Sequence, residues 1–307
     1  MPLRYVLVSL CLLAAISAAG DVLPYTVSTY GVEIQEDVVY RTAPGYWTEG
    51  PDHLSLTAQN WAQLLQTPRD LELMMDIYIP EDGGKAGRPL LLMMHGGAYV
   101  VGNKKEKGQA EWCRYFASLG YVAASIDYRL GFKTTQKGIL GAEADALEDA
   151  GFALDFLLGR EDLHIDPDRV FVAGTSAGGA VALGLAYASS GTSDCRILAV
   201  GNLWGYVRDL SVLENASVPI LSFQSVEDPT VPYVDGYLLG MKIAGLVYGT
   251  KAVHDRAAAL GIPCEHYPCS EKGHRLHLDK DGLTTPRFFE IRDRLTGFFA
   301  RAMTGSL

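Results

Sequence analysis

A chain of 307 residues, 48% hydrophobic and 20% charged, has the make-up of a globular protein long enough to bury a large core. Its formal charge of −10, from 26 basic and 36 acidic residues, argues against a nucleic-acid partner, which would need clustered Lys and Arg. No segment repeats at a fixed period, so a single domain is expected over residues 20–307.

Residues 1–19 read as a signal peptide. Arg4 precedes an apolar run from Tyr5 to Ile16, followed by the small residues Ser17, Ala18, Ala19 and Gly20. Cleavage after Ala19 would send the chain to a secreted or periplasmic address. The apolar run is short against the roughly 20 residues of a membrane span, so no stable span is expected after cleavage. Four cysteines follow, Cys113, Cys195, Cys264 and Cys269, and an even count in an exported chain predicts disulfides. Cys264 and Cys269, close in sequence, are the first candidate pair. None of the spacings suits a zinc site.

Residues Thr42 to Pro68 are poorly periodic and either wrap a sheet edge or help to roof the site. From there on, strands and helices alternate. Leu71 to Ile79 predicts a strand, Pro80 to Gly87 a turn, and Leu90 to Met94 a strand buried on both faces. Glu106 to Leu119 predicts a helix stopped by Gly120, and Tyr121 to Ile126 the next buried strand. In Ala142 to Leu158 the apolar residues fall mostly on one helical face, with Glu143, Asp145, Glu148 and Asp149 expected on a solvated one. Val170 to Ala173 is a predicted strand and Ala177 to Ala188 a small-residue helix. Ile197 to Val200 and Pro219 to Gln224 predict strands, and Lys251 to Leu260 a helix. Pro263 to Tyr267 predicts a last strand and Pro286 to Met303 a closing helix. This alternation implies an α/β fold, a mostly parallel sheet with helices on both faces.

The chemistry is expected where strands end. Gly174-Thr175-Ser176-Ala177-Gly178-Gly179 lies between a predicted strand and a predicted helix, the context that makes G-x-S-x-G a nucleophile elbow. Ser176 would stand at the C-terminal edge of the sheet, beside a helix N-terminus that favours developing negative charge. His95-Gly96-Gly97-Ala98 follows another buried strand. Its glycines let the backbone approach a substrate, so the N–H groups of Gly96, Gly97 and Ala177 are the candidate oxyanion hole. His95 itself reads as a residue that shapes the loop.

A serine hydroxyl needs a base, and the base needs an acid to orient it. In a sheet with this elbow the acid and then the histidine follow the serine in sequence. After the strand Pro219 to Gln224 come Glu227 and Asp228, of which Asp228 is preferred. After the last strand come His274 and His277, and Gly273-His274 is the better match. Tyr99, Trp204 and Tyr206 are candidate pocket residues, with core packing an equal reading for each.

Taken together, these motifs resemble the esterase and lipase branch of the α/β-hydrolase superfamily, near hormone-sensitive-lipase-like and bacterial feruloyl-esterase-like carboxylesterases. The resemblance runs over about residues 72–300. It includes Asp76-Ile77-Tyr78-Ile79-Pro80, Asp127-Tyr128-Arg129-Leu130 and Ile165-Asp166-Pro167-Asp168-Arg169-Val170 beside the segments above. Many relatives carry a third glycine where this chain has Ala98, and another residue at Thr175. The resemblance implies a serine hydrolase acting on carboxylic esters through an acyl-enzyme, needing no cofactor or metal, with a small-molecule or polymer-linked ester as its partner. An exopeptidase with the same triad and a non-catalytic binding module are the alternatives. Acyl length, host and oligomeric state have no signature in these residues.

Overall fold

The computed structural model describes residues 23–49, 65, 67–188 and 195–307. Eight strands form one sheet in the order β1-β2-β4-β3-β5-β6-β7-β10. They are β1 (Val32–Gly45), β2 (Arg69–Pro80), β3 (Arg88–Met94), β4 (Val122–Ile126), β5 (Ile165–Thr175), β6 (Ile197–Leu203), β7 (Ile220–Ser225) and β10 (Cys264–Cys269). β1 and β2 pair antiparallel, β2 runs antiparallel to β4, and every pairing from β4 to β10 is parallel. A small antiparallel hairpin, β8 (Asp235–Tyr237) with β9 (Leu246–Tyr248), stands apart from the sheet.

Side chains alternate across the sheet and feed two cores. Leu90, Leu92 and Met94 of β3 enter one, Leu91 and Met93 the other, and all five are fully buried. On the first face lie α2 (Gln136–Leu158), α3 (Ala177–Tyr187) and α4 (Thr250–Ala259). On the second, α1 (Lys107–Ser118) and α5 (Pro286–Thr304) bring Trp112, Phe116, Phe288, Phe298 and Phe299. The expected layering is therefore the observed one.

The buried strands and the helices fall where the apolar runs place them, with shifts at their ends. α2 begins six residues before Ala142, because Thr135 caps it by accepting the Gly138 N–H at 3.0 Å. Its acids do not all face solvent. Asp149 is fully buried and accepts from Arg129 and Arg41, while Glu143 pairs with Arg208. Thr42 to Gly45 of the aperiodic stretch end the edge strand β1. Trp47 then bridges to Leu130 and donates its indole N–H to Val100 O at 2.8 Å. Residues 50–64 and 66, on which the roof would depend, lie outside the described residues, as does the leader 1–19.

The cysteine pairing is corrected. Cys264 and Cys269 stand at the two ends of β10. Five extended steps along the strand separate them by roughly 16 Å and turn them to opposite faces, beyond the roughly 4–7 Å a disulfide spans. Cys264 packs on the first core, Cys269 on the second, and all four described cysteines are free thiols.

Candidate active site

The parallel strands β3, β5, β6, β7 and β10 all deliver their following loops to one edge of the sheet. Ser176 leaves β5 with φ 53° and ψ −118°, a conformation rarely adopted by a residue with a side chain, and α3 starts at the next residue. The turn closes only over glycine. A Cβ at Gly174 would stand 2.2 Å from Gly178 O, and one at Gly178 would stand 2.1 Å from Met94 O. The Ser176 N–H is tied to Leu203 O of β6 at 2.8 Å.

His274, from the loop after β10, places Nε2 2.7 Å from Ser176 Oγ. Its Nδ1 lies 2.8 and 3.0 Å from the two carboxylate oxygens of Asp228, which follows β7. The Asp228 side chain is completely buried and held from four sides. Its Oδ1 accepts the N–H groups of Thr230 (2.8 Å) and Val231 (3.1 Å), and its Oδ2 accepts from Gln224 Nε2 (3.2 Å). Gln224 is oriented in turn, its Oε1 accepting both the N–H and the hydroxyl of Thr250 at 3.1 and 2.8 Å.

The glycine loop after β3 faces the serine. A Cβ on Gly96 would lie 3.2 Å from Ser176 Cβ, so this backbone runs alongside the nucleophile. Gly97 has φ 115°, and a Cβ there would meet Val101 O at 1.9 Å. Ala98, at φ 53°, continues the left-handed path without a third glycine. Ala177 is the first residue of α3, so its N–H has no acceptor within the helix.

His95 is fully buried and stacks on Tyr128 with centroids 4.2 Å apart, and burial lowers its basicity. His277, the alternative base, lies stacked between Trp112 and Trp204 at 5.2 Å from each ring. Burial pushes its pKa down to about 3. Glu227, the alternative acid, is exposed and faces Lys272.

These groups open into a cavity of about 640 Å³ whose wall includes Gly96, Gly97, Ser176, Trp204, Leu239 and His274. Trp204 is thus a wall residue. Tyr99 and Tyr206 are not in that wall; they border a second cavity of about 280 Å³ behind α3. There the Tyr206 hydroxyl donates to Glu143 at 2.6 Å and that of Tyr99 to Ala177 O at 3.3 Å. Gln224 and Thr250 support the site without any local motif to announce them, while His277, the alternative base, lines the cavity instead. Among the described residues, no cluster of three or more His, Cys, Asp or Glu side chains could hold a metal ion.

A mixed, largely parallel sheet with a serine elbow, and with an acid and a histidine presented by later strand ends, defines an α/β-hydrolase. The family model described as BD-FAE matches residues 75–202. Esterase 2 of Thermogutta terrifontis superposes with a TM-score of 0.59 at 19% identity, over 90% of this chain and 95% of that one. Esterase B of Lactobacillus rhamnosis gives 0.58 at 15% identity, over 90% and 88%. Among curated proteins, the non-reducing polyketide synthase ausA of Emericella nidulans is 36% identical over 157 residues, 49% of this chain. Gut esterase 1 of Caenorhabditis elegans is 28% identical over 150 residues, 47% of this chain and 26% of that one. The chain spans only 6% of the length of that synthase, and 5–7% of those of Preussia isomera and Acremonium egyptiacum. Over residues 75–202 the chain is thus similar to the BD-FAE family, and its fold is the α/β-hydrolase fold of the two bacterial esterases.

Proposed function

We propose that this chain hydrolyses carboxylic esters, with Ser176 as nucleophile, His274 as base and Asp228 as the acid that orients it. The observation that carries the reading is the unbroken hydrogen-bonded line from Asp228 through His274 to Ser176 at the wall of the cavity. Ser176 Oγ attacks the ester carbonyl while its proton passes to His274 Nε2. The imidazolium is held by Asp228, and the oxyanion is received by the N–H groups of Gly96, Gly97 and Ala177. His274 then protonates the departing alcohol, and water, deprotonated by the same imidazole, releases the acid from the serine.

The test compares hydrolysis of p-nitrophenyl acetate, butyrate and octanoate by the parent and by Ser176→Ala. Loss of the serine lowers kcat by about 10⁴-fold or more when the three residues act as a unit. Equal rates in the two proteins would remove Ser176 from the mechanism. Cleavage of aminoacyl-anilides in preference to all three esters would favour the exopeptidase reading. Export is part of the same proposal, supported by the order of charge, apolar run and small residues in 1–19. N-terminal sequencing of the protein from its host should then begin at Gly20.

A further inference from the structure

Residues 229–249 leave the sheet directly behind Asp228 and form an arm, out along β8 and back along β9, before α4 begins. Its base is clasped, the Gly249 N–H donating to Val234 O at 2.7 Å and that of Lys251 to Tyr233 O at 3.0 Å. One side is anchored to the body. Val231 and Val247 are buried with Tyr206, and the Arg208 guanidinium donates to the carbonyls of Ala244 and Leu246.

The rest of the arm exposes apolar side chains. Val234, Tyr237, Leu239, Met241, Ile243 and Leu246 are each 39–53% exposed. Among the described residues, these six are nearly half of the fourteen large apolar side chains exposed to this degree, and they fall within thirteen positions. Such a concentration marks an interaction surface, whereas scattered single residues would not. Tyr237 and Leu246 are cross-strand partners, so they present one continuous face. Leu239 also forms part of the wall of the site cavity, its N–H tied to Thr230 O at 2.8 Å.

We infer that this arm docks on an uncharged lipid–water surface and brings ester bonds lying in it to Ser176; this rests on the ester-hydrolase reading above. Two observations select that occupant. The apolar patch and the cavity mouth share Leu239. A folded protein seated on the patch would cap the site, whereas a layer of lipid esters is docking surface and substrate at once. Charge points the same way: the arm carries one acid, Asp235, and one base, Lys242, on a chain of net charge −10. Anionic lipid and a second copy of the chain are both repelled, while a neutral surface meets only the apolar face.

The test sets the full chain against a variant carrying Met241→Ser, Ile243→Ser and Leu246→Ser together. Three readouts are used: dissolved p-nitrophenyl acetate, a tributyrin emulsion, and flotation with phosphatidylcholine vesicles. The variant should keep its rate on the dissolved ester within twofold and lose at least tenfold on the emulsion. The parent should float with phosphatidylcholine, the variant should not, and phosphatidylglycerol-rich vesicles should carry less of the parent. Equal emulsion rates, or a parent that stays with the unbound fraction, would overturn the inference. So would a parent dimer that the substitutions dissociate, since a second copy would then be the occupant. Should the variant lose the dissolved-ester rate as well, the parent's flotation decides. A parent inactive on the dissolved ester but floating would defeat the ester-hydrolase reading and leave the docking surface standing.

Discussion

Gln224 receives two hydrogen bonds on its amide oxygen, both from Thr250, so its nitrogen is the atom that faces Asp228. Replacing that donor by an acceptor should change the site without emptying it. In Gln224→Glu a second carboxylate would confront the buried Asp228, and like charges at hydrogen-bond distance disfavour ionisation of the pair. Because a protonated Asp228 no longer stabilises the imidazolium, kcat should fall about 10- to 100-fold with KM little changed, the order seen when a supporting shell around a site is removed. The acid limb of the pH–rate profile should move to higher pH. A uniform fall across pH would mean that Gln224 only supports the fold. At this scale, what could be read in advance was what lies within a few residues of a strand end. Ser176 has glycines two residues away on either side, Asp228 follows an apolar run, and His274 follows the last predicted strand. Gln224 and Thr250 are 26 positions apart, and His277 looks like any histidine until Trp112 and Trp204 close over it. Such partners meet only through the tertiary fold, and no spacing in the sequence encodes them.

Strands buried on both faces announce themselves by unbroken apolar runs, and β3 and β4 were legible for that reason. The edge strand β1 was not. It is half exposed along most of its length and broken by two register shifts, with Asp37 at φ 55°, so neither a run nor an alternation survives in its sequence. The arm of β8 and β9 was missed because three-residue strands leave no period to detect. The cysteine pair failed for a related reason, since nearness in sequence means nearness in space only where the chain turns, and β10 runs straight. The start of α2 offers a direct check. Thr135→Ala removes the side-chain acceptor of the Gly138 N–H and should cost about 1 kcal/mol, as N-cap losses do. For a protein of this size, calorimetry should show the melting temperature about 1.5–2 °C lower. An unchanged melting point would show that the preceding turn, and not the cap, fixes where this helix begins.

Across the whole molecule, several imidazoles are buried as neutral groups, and this sets the direction of acid sensitivity. Burial holds His277 at about 3 and His266 at about 4, both below the unfolded value near 6.5. Between those limits the unfolded chain binds protons that the folded chain refuses, so stability rises with pH. The stability they contribute should be intact above about pH 6.5 and be lost progressively as pH falls toward 3–4. In His277→Phe the ring remains to stack between Trp112 and Trp204 but takes up no proton. The slope of melting temperature against pH from 7 to 4 should be shallower in this variant than in the parent, and parallel slopes would exclude His277 as a source. The two-faced layering was the most legible feature at this scale, because alternation of strand and helix leaves few other arrangements. The clasp at the base of the arm has a consequence for how such a chain can diversify. Val234 and Gly249 hold the two ends together, and a Cβ at Gly249 would stand 1.8 Å from Pro232 O. The outer stretch from Tyr237 to Ile243, beyond the anchors at Val247 and Arg208, can therefore be shortened, lengthened or exchanged while the flanking acid and helix keep their places. The arm is a replaceable cassette, through which one hydrolytic scaffold can be fitted to different surfaces.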